Sequence, residues 1–172
     1  MRAWRLSRFR DPTATFSGEG ARRFAGRWHP AGVPVIYTSS SLALAALETL
    51  AHAEIRHLKS VRYAFGVDVP PALIEEPDLA SLPADWNNPT NSHHARAFGA
   101  EWAHSYRSVV LDVPSVLVPQ ERNLILNPNH PDFSQLSLDG PIPFAFVGGR
   151  RRKPAPGSEV ERPLTARGTL QA

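Results

Sequence analysis

One stretch constrains the fold more than any other: Leu42-Ala43-Leu44-Ala45-Ala46-Leu47-Glu48-Thr49-Leu50-Ala51-His52-Ala53-Glu54-Ile55, entered through Ser39-Ser40-Ser41. Serines ahead of an Ala/Leu run supply an N-cap, and the run itself has high helix propensity. It is apolar nearly all round, which predicts a helix buried in the middle of its domain. One carboxylate, Glu48, sits in its interior, with His52 a turn later on the same face. A buried carboxylate is costly unless it is paired or has chemistry to perform.

Around this helix the chain is strand-rich. Residues 3–7 predict a short strand, and residues 33–39, β-branched and aromatic, predict another with Pro34 at its first or edge position. Between them the Gly- and Arg-rich stretch 16–28 predicts loop or distorted backbone. Residues 61–69 alternate as a half-buried strand up to Pro70-Pro71, and 72–91 predict mostly loop. Ala95, Phe98, Trp102 and Tyr106, at spacings of three and four, predict a second helix over 92–107. Val109–Val113 and Val116–Val118 predict short strands, and 127–132 a turn cluster. Residues 133–138 and 142–147 predict two final strands joined through Asp139-Gly140. Strands outnumber helices without a βαβ rhythm, so the expectation is an α+β single domain over 1–147. A basic, Pro/Gly-rich tail follows over 148–172.

A chain of 172 residues suits one domain. No apolar run approaches the roughly 20 residues that span a bilayer, and the arginine-containing start has no apolar run behind it. There is no cysteine, which excludes disulfides, thiol nucleophiles and cysteine zinc sites. The expected setting is cytoplasmic, away from membranes. The net charge of +3 is unevenly spread: +5 over residues 1–30, −6 over 31–147 and +4 over the tail. An arginine-rich beginning on an acidic body points to a small anionic ligand more than to a nucleic-acid face.

Seven histidines invite a metal, yet no His-Glu-x-x-His run occurs. His52-Ala53-Glu54 is half of a zinc deaminase signature whose cysteine half is missing, and the rings of adjacent His93 and His94 diverge on a helix, so no metal is expected. Neither a Gly-x-Ser-x-Gly elbow nor a P-loop is present. A different set stands out. Arg27, between Gly26 and Trp28, offers a bidentate guanidinium beside a flexible backbone, suited to phosphate. Tyr37 ends a strand just before the serine cap, where helix N–H groups favour an anion. Glu48 is placed to stabilise positive charge of the oxocarbenium kind formed in glycosidic cleavage. Each of the three also has a plain structural reading: a surface ion pair for Arg27, core for Tyr37, a salt bridge for Glu48.

The order of these residues resembles the RES domain family. Gly20 through Ser39, including Gly26-Arg27-Trp28-His29-Pro30 and Tyr37-Thr38-Ser39, carries the resemblance. It continues in Ala45-Ala46-Leu47-Glu48, in Asp112-Val113-Pro114-Ser115-Val116-Leu117-Val118-Pro119, and in Asn123-Leu124-Ile125-Leu126-Asn127-Pro128 with His130-Pro131-Asp132. It covers roughly residues 2–146. The Arg, Glu and Ser that name the family fall on Arg27, Glu48 and Ser115. After Phe146 the chain departs from the family's usual ending. The resemblance implies an ADP-ribosyltransferase-like fold with a split sheet, and a toxin of a toxin–antitoxin pair that consumes NAD+. Hydrolysis, phosphorolysis and ADP-ribose transfer to a protein are all open outcomes. The implied partner is an Xre-like antitoxin that blocks the active site, so nucleic acid is met only through the antitoxin. On this basis Arg27 binds the pyrophosphate or nicotinamide ribose side of NAD+, Tyr37 stacks on nicotinamide, and Glu48 supports the cationic ribose. Ser115 orients the ribose or a carboxylate. Ser39 and His52 are expected to support the site, and Arg5 to reach a phosphate. The competing classes are a nucleic-acid-binding module built on the basic ends and a catalytically inert interaction protein.

Overall fold

The computed structural model describes residues 1–52 and 61–146. The end of the predicted first helix, residues 53–55, and the tail over 148–172 lie outside the described residues. Seven strands form one mixed sheet: β1 (Arg2–Ser7), β2 (Ile36–Ser39), β3 (Arg62–Asp68), β4 (Ile74–Glu75), β5 (Val110–Pro114), β6 (Arg122–Leu126) and β7 (Ser137–Phe144). The order across the sheet is β4-β5-β6-β2-β1-β3-β7. Every pairing is antiparallel except β4 with β5. Among the described residues four α-helices accompany it: α1 (Pro12–Thr15), α2 (Glu19–Arg23), α3 (Leu42–His52) and α4 (His93–Ser105). The α+β class is as expected. None of the described helices is long and apolar enough to cross a membrane.

The alternation of strand side chains divides the core in two. Ile36, Val110, Leu124 and Leu126 join Phe16 and Phe65 in one apolar cluster. Their neighbours Val35, Leu111, Val113 and Ile125 join Trp28 and Trp102 in the other. The central strands are therefore covered on both faces, which makes the second half of β6, Leu124-Ile125-Leu126, continuously apolar rather than alternating.

Several local expectations are corrected. The first helix is not buried all round: Leu44 and Ala45 face the core, while Leu47 and Leu50 are 41% and 42% exposed. The glycine- and arginine-rich stretch is not all loop, because Glu19–Arg23 closes a helical turn tied by Arg23 Nε donating to Glu19 at 2.9 Å. Val116–Val118 is not a strand. The Ser115 hydroxyl accepts from the N–H groups of Leu117 and Val118 at 3.1 and 3.2 Å, and this local bonding bends the chain before β6 begins. The two expected final strands are one strand, β7, preceded by a 3-10 turn over Pro131–Gln135. Pro141 and Pro143 are tolerated there because β7 is the sheet's edge.

Candidate active site

β1 and β2 share a single ladder pair, Trp4 with Ser39. Beyond it the strands part, and Arg5 fills in for the absent ladder by donating from Nη1 to the Tyr37 carbonyl at 2.7 Å. Residues of both strands at the split, Leu6 and Tyr37, line a cavity of about 570 Å³. The same cavity is lined by Glu48, Thr49 and His52 of α3, by Gly26-Arg27-Trp28, and by Arg96 of α4. A second recess of about 560 Å³ shares Arg5, Leu6 and Tyr37 with the first and holds none of Arg27, Glu48 and Ser115.

Glu48 reaches the cavity because the helix starts where it does. Ser41 caps α3, its hydroxyl accepting from Leu44 N–H at 3.0 Å, and Glu48 follows two turns in, on the face next to the sheet. Its Oε1 accepts from Ser115 Oγ at 2.9 Å and from Asn123 Nδ2 at 2.7 Å, and its Oε2 lies 3.6 Å from His52 Nε2. Burial pushes the Glu48 carboxyl up, but the bonds from His52, Asn123 and Ser115 outweigh it and hold it below the ordinary carboxylate range. Glu48 is thus an anion at neutral pH. Its bond raises the His52 imidazole above the usual value. The His52 side chain is 80% exposed, so solvent screens this pair and it is the weakest of the three contacts.

Tyr37 is fixed by a second network. His29 Nε2 lies 3.0 Å from the Phe24 carbonyl, so that nitrogen carries the hydrogen and Nδ1 accepts the Tyr37 O–H at 2.9 Å. The phenol oxygen accepts in turn from Trp28 N–H at 3.1 Å. Burial pushes the phenol up and the imidazole down, so both are neutral. Gly26 makes this packing possible: a Cβ there would stand 2.5 Å from the His29 ring and 2.7 Å from the Tyr37 oxygen. Tyr37 therefore lines the cavity with its hydroxyl already committed.

Arg27 extends its Nη1 to the carbonyls of Trp86 and Asn88, at 3.0 and 2.7 Å. Ser115 is fully buried and touches Glu48 directly. Ser39 donates to Asn123 Oδ1 at 2.9 Å and so acts on Glu48 one bond removed. Arg5 has no carboxylate at ion-pair distance among the described residues, and burial lowers its guanidinium to about 10, which leaves it charged. Geometry thus brings Arg27, Tyr37, Glu48, Ser39, His52 and Arg5 to one cavity, with Ser115 behind Glu48. Sequence reasoning did not single out Asn123, Arg96 or His29 for the site. Asn123 had a signal, since it opens the segment that carries the last part of the family pattern. Arg96 had none, because nothing in a helical period tells which charged residue turns inward.

The chain is similar to known proteins over most of its length. The family model of the RES domain matches residues 2–146. A protein named Toxin Res from Yersinia enterocolitica is 39% identical over 152 residues, covering 85% of this chain and 97% of its own length. The Prs ADP-ribosylating toxin of a Sphingobium species is 41% identical over 119 residues, covering 67% of this chain and 74% of its own length. The solved M. tuberculosis MbcT-MbcA toxin-antitoxin complex contains a chain with the same fold, at a TM-score of 0.65, 23% identity and 84% coverage of both chains. A family pattern that runs from the second residue to the end of the described structure, with relatives this similar over most of their length, places the chain in the RES domain family.

Proposed function

We propose that this chain is a toxin that cleaves the nicotinamide–ribose bond of NAD+ and is held in check by a cognate Xre-like antitoxin. The observation that carries the proposal is an anionic, three-times-contacted Glu48 in a cavity also lined by three guanidinium groups and by Tyr37. When the glycosidic bond breaks, its electron pair leaves with the nicotinamide nitrogen, which becomes neutral and needs no proton. Positive charge then develops on the ribose, and a preorganised carboxylate stabilises it. The acceptor, water, phosphate or a protein side chain, forms the new bond to the ribose carbon and releases its proton to Glu48 or solvent. Ser115 and Asn123 fix the carboxylate, Tyr37 stacks on the nicotinamide, and Arg27 binds the phosphate side. Ser39 steadies Asn123, and Arg5 holds the Tyr37 strand open.

Two relatives support the reading. The Sphingobium relative is named for ADP-ribosylation, and the M. tuberculosis neighbour was solved with its antitoxin. Transfer of ADP-ribose, hydrolysis and phosphorolysis share the first bond-breaking step, so nicotinamide release tests all three. The site would work in the cytoplasm, where its substrate is. The experiment is mass-resolved turnover of NAD+ by the purified chain, with and without phosphate and with cell lysate as a source of acceptor. Glu48→Gln, which keeps an oxygen for Ser115 and Asn123, should remain folded and lose about 10²–10³-fold in kcat. Nicotinamide released by neither chain under any of these conditions, or equally by both, overturns the proposal.

A further inference from the structure

Two cations of the cavity differ from most arginines around them. Arg2 meets Asp68 and Asp139, Arg107 meets Glu75, and Arg122 meets Asp112. Arg27 and Arg96, both half-buried, are held by backbone carbonyls, with no carboxylate at ion-pair distance among the described residues. Carbonyls orient a guanidinium without cancelling its charge. Among the described residues Glu48 is the one carboxylate lining the cavity, and it is already engaged by Ser115, Asn123 and His52.

The placement of Arg96 is built into the helix packing. Gly99 lets α4 press against the 26–29 turn, since a Cβ there would stand 1.9 Å from the Trp28 carbonyl oxygen. One turn earlier on the same face, Arg96 donates from Nε to the Gly26 carbonyl at 3.0 Å. Gly26 is the neighbour of Arg27, so the bond ties the two arginines to one turn. Nε is spent on that turn, and the rest of the guanidinium serves the cavity it lines.

We propose that Arg96 completes, with Arg27, a two-guanidinium clamp for the diphosphate of a dinucleotide. Arg96 is the residue that makes the site prefer a diphosphate-bearing substrate. The inference rests on the NAD+ reading and adds to it a binding residue from α4. Two fixed positive charges match the two negative charges of a diphosphate, and planar guanidinium forks suit its oxygens. A free phosphate ion offers the same oxygens and is the alternative source to be separated.

The test is calorimetric titration of the full chain with ADP-ribose, with nicotinamide and with inorganic phosphate, for wild type, Arg96→Gln and Arg96→Lys. Arg96→Gln should weaken ADP-ribose binding about 10–100-fold, the worth of a charge-assisted bond, and leave nicotinamide binding unchanged. Arg96→Lys should fall between, because it keeps the charge and loses the fork. The salt dependence of ADP-ribose binding should be shallower in Arg96→Gln. Unchanged ADP-ribose affinity overturns the clamp, as does a loss seen with inorganic phosphate alone. A parallel loss of ADP-ribose and nicotinamide also overturns it, showing that Arg96 acts only by holding Gly26. If Arg96→Gln does not fold, Arg96→Lys decides by the same comparison. Wild type that binds neither ligand and releases no nicotinamide refutes the NAD+ reading itself, whereas wild-type turnover with an indifferent Arg96 refutes the clamp alone.

Discussion

Ser115→Ala isolates the contact that keeps Glu48 ready. The Ser115 hydroxyl is fully buried, donates to Glu48 at 2.9 Å, and accepts from Leu117 and Val118 N–H groups at 3.1 and 3.2 Å. A bond to a charged group contributes about 1.5–3 kcal/mol, and a buried N–H left without a partner costs about 1–3 kcal/mol. Leu117 is 42% exposed, so water can reach that turn and recover part of the second cost. The net destabilisation is about 3 kcal/mol, which for a chain of this size lowers Tm by about 6–12 °C. The catalytic effect has a separate sign. Removing one of three groups that hold the carboxylate down lets its pKa rise, so the acid limb of NAD+ turnover moves to higher pH. The loss in kcat/KM at neutral pH should be about 10-fold, the equivalent of one weakened contact. Thermal melts and the pH–rate profile of nicotinamide release measure both effects. A Tm that falls while the acid limb stays in place would show that Ser115 shapes the turn and leaves Glu48 to its other partners.

Four further outcomes follow from the same structure. Gly99→Ala forces a methyl group into the Trp28 carbonyl and should cost about 3 kcal/mol or more, read as a Tm drop beyond 6 °C. Gly20→Ala in α2, where a Cβ meets nothing within 4 Å, should change stability by less than about 1 kcal/mol in either direction and serves as the control. Tyr37→Phe should keep turnover within about 5-fold, because the hydroxyl is spent on Trp28 and His29, while losing about 1–2 kcal/mol of stability by denaturant titration; a far larger rate loss would mean the hydroxyl takes part in proton transfer. Glu48 has a depressed pKa, so its stabilisation is present above the ordinary value of 4.5 and is lost as pH falls through the folded value. The raised His52 works the other way: its contribution is full below 6.5 and fades as pH rises through the folded value, and exposure keeps it small. Denaturant titrations of wild type and Glu48→Gln should differ above pH 4.5 and converge as pH falls through the folded Glu48 value.

The helix of Leu42–His52 and its cap were legible because propensity and capping act within a few residues. Its burial was not, since Leu47 and Leu50 carry no mark in the sequence of which side the sheet takes. β6 was missed as a strand for a related reason: Leu124-Ile125-Leu126 sends side chains into both clusters, so no alternation appears. The apolar Val116–Val118 imitated a strand because the bond that bends it comes from Ser115, a serine like any other until the turn is seen. At the site, Arg27, Tyr37 and Glu48 were legible as unusual residues in ordered motifs. The contacts between them are long-range, Glu48 with Ser115 and with Asn123, and such pairings depend on sheet order.

Sheet order also resolves the charge pattern. The arginine-rich first thirty residues suggested a local anionic ligand, yet most of those charges go elsewhere: Arg2 to Asp68 and Asp139, Arg22 and Arg23 to Glu19, Arg8 over the Phe9 ring. Arg5 and Arg27 alone among the seven line the cavity around Glu48. The third guanidinium, Arg96, comes from the acidic body of the chain, whose balance argues against an anion site. Local composition therefore understates the cavity. Its character follows from which cations lack a carboxylate, a property of packing that the split between β1 and β2 and the close approach at Gly99 create together. The prediction this carries is directional: neutralising Arg96 should weaken an anionic ligand more than neutralising the equally half-buried, carboxylate-paired Arg122, because only the former removes charge that the ligand itself must balance.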